Sequence, residues 1–283
     1  MSPVGWVRAQ AEKAAATEIP RDRWGRPLIV PPEGGEPIAY TRVSTLAKAL
    51  DDTSNLTGWK LRKLAEGLVK RPALLTRLAG ALANGNPDTD KAVKAEFTRV
   101  CAEAHEAAGA SSAASSGTGL HALTEAIDRG EWPEFVPATE EPRLRAYAAA
   151  TADYEPLDAE TFVVNDAVRA AGTFDRLWRC PDGKVRVGDL KSGKWDAIYP
   201  LGVTTQVAIY ARGLRYDPAS GRSPLHADLD LNTGLLIHMP PTGGCEVIPL
   251  DLERGWRAAQ AAHFVHHDVR KWKAEDLVKA VTW

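Results

Sequence analysis

The spacing of the hydrophobic residues changes near residue 155, and this change limits the folds that are open to the chain. Before it, apolar residues recur every three to four positions, as over 56–69, which is typical of amphipathic helices. After it, hydrophobic and polar residues alternate. The alternation predicts three strands in a meander, over 161–168, 172–179 and 184–191.

The chain then returns to a helical pattern over 200–215, and a closing helix is predicted over 251–272. Between these helices, alternating segments on either side of Pro240–Gly244 predict a hairpin of strands 228–239 and 245–250. This order of elements predicts an α/β fold of the mixed α+β type. Its centre would be a mixed β-sheet with a strand meander, flanked by helices and preceded by a helical N-terminal half.

Length and composition predict a globular chain. It has 283 residues, of which 44% are hydrophobic and 25% charged, and this suits one large domain. We expect a proline-rich N-terminal arm over 1–40 and a single domain over 41–283. Within that domain, the helical part would cover 41–153, the sheet and its helix 155–250, and the C-terminal helix 251–283.

Charge, apolar run length and cysteine content limit the classes of protein to which the chain could belong. Lys and Arg number 35 and Asp and Glu 37, so the net charge is −2, which argues weakly against a nucleic-acid binder. No apolar run is long enough to span a membrane, and the N-terminus lacks the pattern of a signal peptide. Three scattered cysteines form no disulfide framework. A cytoplasmic protein without a membrane partner is therefore expected.

Asp175 and Asp189 lie on the two predicted strands that flank Pro181–Gly183, and the turn decides whether they face each other. A three-residue loop with its glycine in the left-handed conformation places Cys180 opposite Lys184, and therefore Asp175 opposite Asp189. A two-residue loop would put Asp175 on the other face of the sheet.

In the three-residue register, the Cβ atoms of the two aspartates would lie about 4.5–5.5 Å apart. Like charges this close destabilise a sheet unless a cation neutralises them, and oxygen ligands at this spacing suit Mg²⁺ or Mn²⁺. The alternative is that Asp189 and Lys191, on one face of their strand, form an ordinary surface ion pair. The spacing alone leaves both open.

Four segments of the chain, in order, resemble the core of the RecB-like branch of the PD-(D/E)XK nucleases. They are Gly117-Thr-Gly-Leu-His121, Gly172-Thr-Phe-Asp175, Asp189-Leu-Lys191-Ser-Gly193 and Gln206-Val-Ala-Ile-Tyr210. The resemblance covers roughly residues 117–215, with weaker similarity over 43–59 and in the closing helix. It implies a restriction-endonuclease-like core and a metal-dependent deoxyribonuclease.

The resemblance also implies a role for each matching residue. Asp175 and Asp189 would bind Mg²⁺ or Mn²⁺, and the Leu190 carbonyl and His121 would complete the ligand shell. Lys191 would position or activate the attacking water and offset charge on the scissile phosphate. The metal would lower the pKa of that water.

Gln206 and Tyr210, one helical turn apart, would face the site by the same resemblance and steady Lys191 or the DNA. Tyr210 also lies on the apolar stripe of its helix, so a core position is an equal alternative. Glu125 shares a helix face with His121, and it would orient His121, bind water or simply be exposed.

Candidate DNA contacts lie after the Asp-x-Lys motif and on the second predicted helix: Ser192, Lys194, Lys60, Arg62 and Lys63. A simple turn and a solvated basic helix face are the alternatives for these two groups. Three histidines of the closing helix are expected to be surface or DNA-facing residues, because no carboxylates share their face: His263, His266 and His267.

We therefore expect a Mg²⁺- or Mn²⁺-dependent DNA exonuclease of a phage or bacterial recombination or repair system. Its substrate would be linear DNA or single-stranded ends, and its partner a single-strand annealing protein or a helicase. The alternatives are a structure-specific endonuclease, a catalytically silent DNA-binding or scaffold relative, and an unrelated enzyme with a chance Asp-x-Lys. Three cysteines cannot supply the four ligands of the iron–sulfur cluster found in related CRISPR-adaptation nucleases, so no cluster is expected.

Overall fold

The structure is a computed structural model that describes residues 18–110, 112–194 and 197–278, and the first 17 residues of the predicted arm lie outside it. The chain divides into two compact units. We call Met1–Asp51 with His121–Trp283 the sheet unit, and Asp52–Leu120 the helical unit. The single domain over 41–283 stays a prediction.

The described part of the chain contains helices in both units. They are α1 (Val43–Ala47), α2 (Ser54–Lys70), α3 (Ala73–Asn84), α4 (Lys91–Ala107), α5 (Ser112–Asp128), α6 (Glu141–Ala150), α7 (Leu201–Ala211), α8 (Leu252–His267) and α9 (Ala274–Leu277). Over the described residues, none of these helices has the length and apolar character that crossing a membrane requires.

Every strand in the described part of the chain belongs to the sheet unit. They are β1 (Leu28–Ile29), β2 (Ile38–Ala39), β3 (Thr41–Arg42), β4 (Glu155–Asn165), β5 (Ala170–Arg179), β6 (Val185–Lys191), β7 (Leu214–Asp217), β8 (Gly221–Ser223), β9 (Thr233–His238) and β10 (Glu246–Asp251). Strands β1 and β2 pair with each other, and the other eight form one sheet.

The large sheet has the order β10-β9-β6-β5-β4-β7-β8, and β3 pairs in parallel with the start of β5. Strands β4, β5 and β6 are antiparallel neighbours, which confirms the predicted meander. The predicted hairpin is also confirmed, as β9 and β10. Because β6 and β9 run parallel, the sheet is mixed, and the predicted mixed α/β class is confirmed.

The predicted helix over 200–215 is too long at its C-terminal end. Helix α7 ends at Ala211, and β7 begins at Leu214 and pairs with β4. Gly213 lies between the helix and the strand, and a Cβ there would lie only 3.0 Å from the Val164 carbonyl oxygen. The close approach to β4 is a long-range contact, and local periodicity does not reveal it.

Helix α7 is buried along most of its length, and it contacts the sheet on one side and α8 on the other. The contact with α8 is close: a Cβ on Gly255 would lie 2.5 Å from the Thr204 carbonyl oxygen. Because α7 packs against β5 and β6, part of its surface faces the two strands that carry Asp175 and Asp189.

Helices α2, α3 and α4 form the core of the helical unit around Leu74, Val100 and Ala104. Helix α2 crosses α4 at Gly67, where a Cβ would lie 1.8 Å from the Ala104 carbonyl oxygen, so only glycine fits. On the surface of the unit, Arg77 of α3 forms ion pairs with Glu96 and Glu103 of α4, each at 2.7 Å.

Candidate active site

The turn between β5 and β6 has the predicted three-residue form. The backbone N–H of Cys180 donates to the Lys184 carbonyl at 2.8 Å, and the glycine of Pro181–Gly183 has φ +81°. The ladder that follows this turn sets Asp175 beside Asp189 on the neighbouring strand. The two-residue loop is therefore wrong, and the predicted juxtaposition of the two aspartates is confirmed.

Asp175 is 8% exposed and contacts β6 through its side chain. Its Oδ2 accepts a hydrogen bond from the Leu190 backbone N–H at 2.7 Å. Burial raises the pKa of Asp175, while the positive charge of Lys191 and the bond from Leu190 act in the opposite direction. Leu190 thus reaches the site through its N–H, and its carbonyl as a metal ligand stays a prediction.

Asp189 is 1% exposed and lies between two side chains. Lys191 Nζ is 2.6 Å from Asp189 Oδ2, and Gln206 Nε2 donates to Asp189 Oδ1 at 2.8 Å. Burial and the neighbouring charge of Asp175 raise the pKa of Asp189 to about 6, against the lowering effect of Lys191. A surface ion pair would leave the carboxylate in water, so the burial of Asp189 excludes that alternative.

Gln206 and Tyr210 of α7 extend this chain of contacts into the core. Gln206 Nε2 also lies 3.3 Å from the Tyr210 hydroxyl, and Tyr210 is 3% exposed. The absence of a side chain on Gly172 leaves room for that hydroxyl, since a Cβ there would lie 3.2 Å from it. Tyr210 is therefore a core residue that also contacts the site. Gln206 contacts Asp189 directly, and its expected role in steadying Lys191 or the DNA stays a prediction.

His121 of α5 lies beside the two carboxylates, with Nδ1 3.7 Å from Asp175 Oδ1. Burial lowers the pKa of His121, and the positive charge of Arg176 lowers it further. The neutral imidazole, the form that can bind a metal, is thus favoured. Glu125 lies one turn further along α5, 3.9 Å from Arg129, and its negative charge acts on the pKa of His121 in the opposite, raising direction.

Glu160 of β4 is a site residue that the sequence pattern did not indicate. Its neighbours on β4 pair with the neighbours of Asp175 on β5, so Glu160 stands beside Asp175. Its φ of 46° lies in the left-handed region, which residues other than glycine rarely adopt and which is found preferentially at functional sites. Ligand atoms of His121, Glu160 and Asp175 all lie within 4.8 Å of one another.

Arg176 is a second residue that the pattern did not indicate, and it fixes α5 to β5. Arg176 is fully buried and forms an ion pair with Asp128 of α5. Its guanidinium also donates to the Thr124 hydroxyl and to the Asp175 carbonyl, each at 2.9 Å. The Tyr147 hydroxyl donates to Asp128 at 2.7 Å and completes the network. This network holds the helix of His121 against the strand of Asp175.

The segment after β6 carries Ser192 and Lys194, and it is anchored where His238 donates to the Gly193 carbonyl at 2.9 Å. Lys194 is exposed beside the site. The other predicted DNA contacts belong to the helical unit. Lys63 forms an ion pair with Glu66 at 2.7 Å, and Lys60 and Arg62 are exposed on α2. A role of any of these five residues in binding DNA stays a prediction.

The histidines of α8 are more enclosed than expected. His263 Nδ1 donates to the Val168 carbonyl at 2.9 Å, and His267 Nε2 lies 3.2 Å from the Thr41 hydroxyl. His263 and His267 are thus half-buried, and the expectation that the three histidines are surface or DNA-facing residues stays a prediction. His266 lines an open cleft beside them.

Ligand atoms of His121, Glu160 and Asp175 lie within 4.8 Å of one another, and Asp189 on β6 lies beside Asp175, so three carboxylates and one imidazole are candidate ligands. Carboxylate oxygens suit Mg²⁺ and Mn²⁺, and an imidazole is compatible with Mn²⁺. Burial is the main cause of the raised pKa of both aspartates, and Lys191 offsets it only in part, so a bound cation would further favour their charged form. The residues therefore fit a divalent metal.

Comparison with protein-family models and with curated proteins found no match for this chain. The resemblance to the RecB-like nucleases thus rests on the four short segments and on the arrangement of their residues.

Proposed function

We propose that the protein hydrolyses DNA phosphodiester bonds with Mg²⁺ or Mn²⁺ as its cofactor, as a nuclease similar to the RecB-like group. The observation that carries the proposal is the pair of buried carboxylates, Asp175 and Asp189, on adjacent strands with Lys191 beside them. Burying two like charges is costly, and a site that tolerates this cost is a candidate for function.

Four residues would hold the metal: Asp175 and Asp189, with His121 and Glu160 at their side. A bound divalent cation supplies a positive charge that polarises the phosphate and lowers the pKa of water. The protein contributes the rigid placement of these ligands. Arg176 holds the helix of His121 against β5. The pairing of β5 with β4 and β6 holds the carboxylates in place.

Lys191 supplies a positive charge at the site. Its side chain is 30% exposed, whereas the Asp189 carboxylate that it contacts is almost completely buried. The Lys191 ammonium would orient the attacking water and offset charge on the phosphate. Gln206 would keep the Asp189 carboxylate in place.

We favour an exonuclease over a structure-specific endonuclease, because no separate recognition module is visible in the sequence. Its substrates would be linear DNA and single-stranded ends in recombination, repair or phage DNA processing. It would act in the bacterial cytoplasm, encoded by the bacterium or by a phage. A single-strand annealing protein or a helicase is the partner that such an enzyme would serve.

The test is to incubate the protein with end-labelled linear DNA and with closed circular DNA, each with Mn²⁺ or with EDTA. We expect Mn²⁺-dependent loss of linear DNA, intact circles, and no cleavage by Lys191→Ala. Cleavage of the circles would establish an endonuclease instead. Intact DNA under all conditions would contradict the proposal and leave a catalytically silent DNA-binding relative.

A further inference from the structure

We propose that an open cleft on the sheet unit binds the phosphate backbone of single-stranded DNA, an inference that rests on the proposed function and extends it. The cleft has a volume of about 390 Å³. Its lining consists of basic, hydroxyl and aromatic side chains: Trp24, Arg26, Thr41, Arg42, Thr45 and His266. Among the described residues that line the cleft there is no carboxylate, so the lining is suited to a negatively charged ligand.

Arg42 and Thr45 provide the donors that a phosphate needs. Both are exposed, and Arg42 forms no ion pair with any residue that the structure describes. A guanidinium without a carboxylate partner presents five N–H donors, and arginines with threonine hydroxyls are common contacts of nucleic-acid phosphates. Arg42 is therefore the principal phosphate ligand that we assign.

Trp24 adds an aromatic surface to these donors. Its indole is 60% exposed, and the guanidinium carbons of Arg23 and Arg26 lie 4.0 Å and 4.9 Å from its ring centroid. Arg26 also forms an ion pair with Asp22 at 2.7 Å, so its charge is partly balanced. An exposed aromatic ring among arginines is typical of grooves that bind single-stranded nucleic acid, where bases stack on the ring and phosphates contact the cations.

Further cations lie near the histidines at the cleft. Burial lowers the pKa of His266, and the charges of Arg270 and Lys271 lower it further. Burial lowers the pKa of His267 to about 4, and Lys271 and Arg169 are among the charges that contribute. Cations are thus concentrated here in a chain whose net charge is −2, and such a local concentration attracts phosphates.

The cleft is joined to the candidate metal centre by β5. Arg42 pairs with Ala171 of β5, and Asp175 is four residues further along that strand, a distance of about 13 Å. Val43, next to Arg42, lies close to the same strand, since a Cβ added to Gly172 would lie 3.4 Å from the Val43 Cβ. A DNA strand bound in the cleft is therefore within a few nucleotides of the carboxylates.

The experiment measures binding of a short fluorescein-labelled oligothymidylate by anisotropy, in EDTA so that metal-dependent cleavage cannot occur. The cleft variants are Arg42→Gln and Trp24→Ala. The control is Arg254→Gln at the other end of α8, where the arginine side chain is 86% exposed. We expect each cleft variant to bind at least about fivefold more weakly, and Arg42→Gln to reduce the log–log salt slope by about 1, with no change in the control.

Because both side chains are exposed, the cleft variants should unfold at the wild-type temperature, which is measured in parallel. Wild-type affinity in both variants, or the absence of oligonucleotide binding by the wild type, would overturn the inference. The outcome is independent of catalysis: a protein that binds through the cleft in EDTA but cuts no DNA with Mn²⁺ would overturn the proposed function and leave this inference standing.

Discussion

Asp175 and Leu190 are joined by a hydrogen bond from the Leu190 backbone N–H to the Asp175 carboxylate, at 2.7 Å, where the β5–β6 ladder ends. The side chain thus makes the contact to β6 at the point where the backbone pairing stops. One oxygen of the carboxylate is fixed by this bond, and the other lies 3.7 Å from His121 Nδ1. The orientation of Asp175 is therefore set by the sheet itself before any ligand binds.

Removing the charge of Glu160 should weaken metal binding. We expect Glu160→Gln to lower the Mn²⁺ affinity at least about tenfold, because the carboxylate lies among ligand atoms within 4.8 Å of one another. Isothermal titration calorimetry measures this affinity. Glu155→Gln, on the same strand but paired with Arg179, is the matched control and should bind Mn²⁺ as the wild type does. Equal affinities for all three proteins would remove Glu160 from the site.

Replacing Arg176 should destabilise the fold, because its buried partner Asp128 would lose the cation that balances its charge. Arg176→Met leaves the buried Asp128 carboxylate without its cation, and we expect the free energy of unfolding to fall by about 3–5 kcal/mol. Arg176→Met with Asp128→Asn removes the unpaired charge while the new amide can still accept from Tyr147. Urea denaturation should therefore show the double variant to be the more stable one, and the opposite order would contradict this role of the pair.

Stability should fall in mild acid because of His267. Its pKa in the folded state is about 4, below its usual value of 6.5, through burial and the neighbouring His263, His266 and Lys271. Between these two pH values the unfolded chain takes up a proton that the folded chain does not, so stability is lost as the pH falls from about 6.5 to 4. Above pH 7 the His267 imidazole is neutral in both the folded and the unfolded chain, so it no longer makes stability depend on pH.

The variant His267→Gln keeps a partner for Thr41 but cannot titrate. We expect the loss of unfolding free energy between pH 7.5 and pH 5 to be smaller in the variant by about 1 kcal/mol, since partial exposure reduces the full effect. Thermal unfolding at the two pH values measures it. The same pH dependence in both proteins would show that His267 is not responsible.

Two glycines in the helical unit should respond in opposite ways to alanine. Gly67→Ala places a Cβ against the Ala104 backbone and should lower the free energy of unfolding by at least about 2 kcal/mol. Gly80→Ala, in an exposed part of α3 with nothing within 4 Å, should raise it by about 0.5–1 kcal/mol. Denaturant titration compares the two, and a neutral Gly67→Ala would contradict the close crossing of α2 and α4.

The parts of the site that follow from local chemistry could be predicted from the sequence. Pro181–Gly183 specifies a three-residue turn, and this turn alone determines that Asp175 lies beside Asp189. The positions of Gln206 and Tyr210 on one face of a helix follow from helical periodicity in the same way.

The parts that depend on distant contacts could not be predicted. Glu160 reaches the site only because β4 pairs with β5 and because its backbone adopts a positive φ, which no local pattern indicates. Arg176 reads as one polar residue in an alternating strand, and its burial makes sense only with Asp128 placed beside it. Likewise, Arg42 joins the sheet through parallel pairing with a strand about 130 residues away.

Asp175 and Asp189 are proposed to form a metal-dependent centre that hydrolyses DNA. The most direct measurement is the rate of nucleotide release from linear DNA in Mn²⁺ for the wild type, Asp189→Asn and Asp182→Asn, the last being an exposed aspartate in the β5–β6 turn. We predict that Asp189→Asn loses at least about a hundredfold in rate while Asp182→Asn keeps the wild-type rate. Nucleotide release by Asp189→Asn at the wild-type rate would contradict the account.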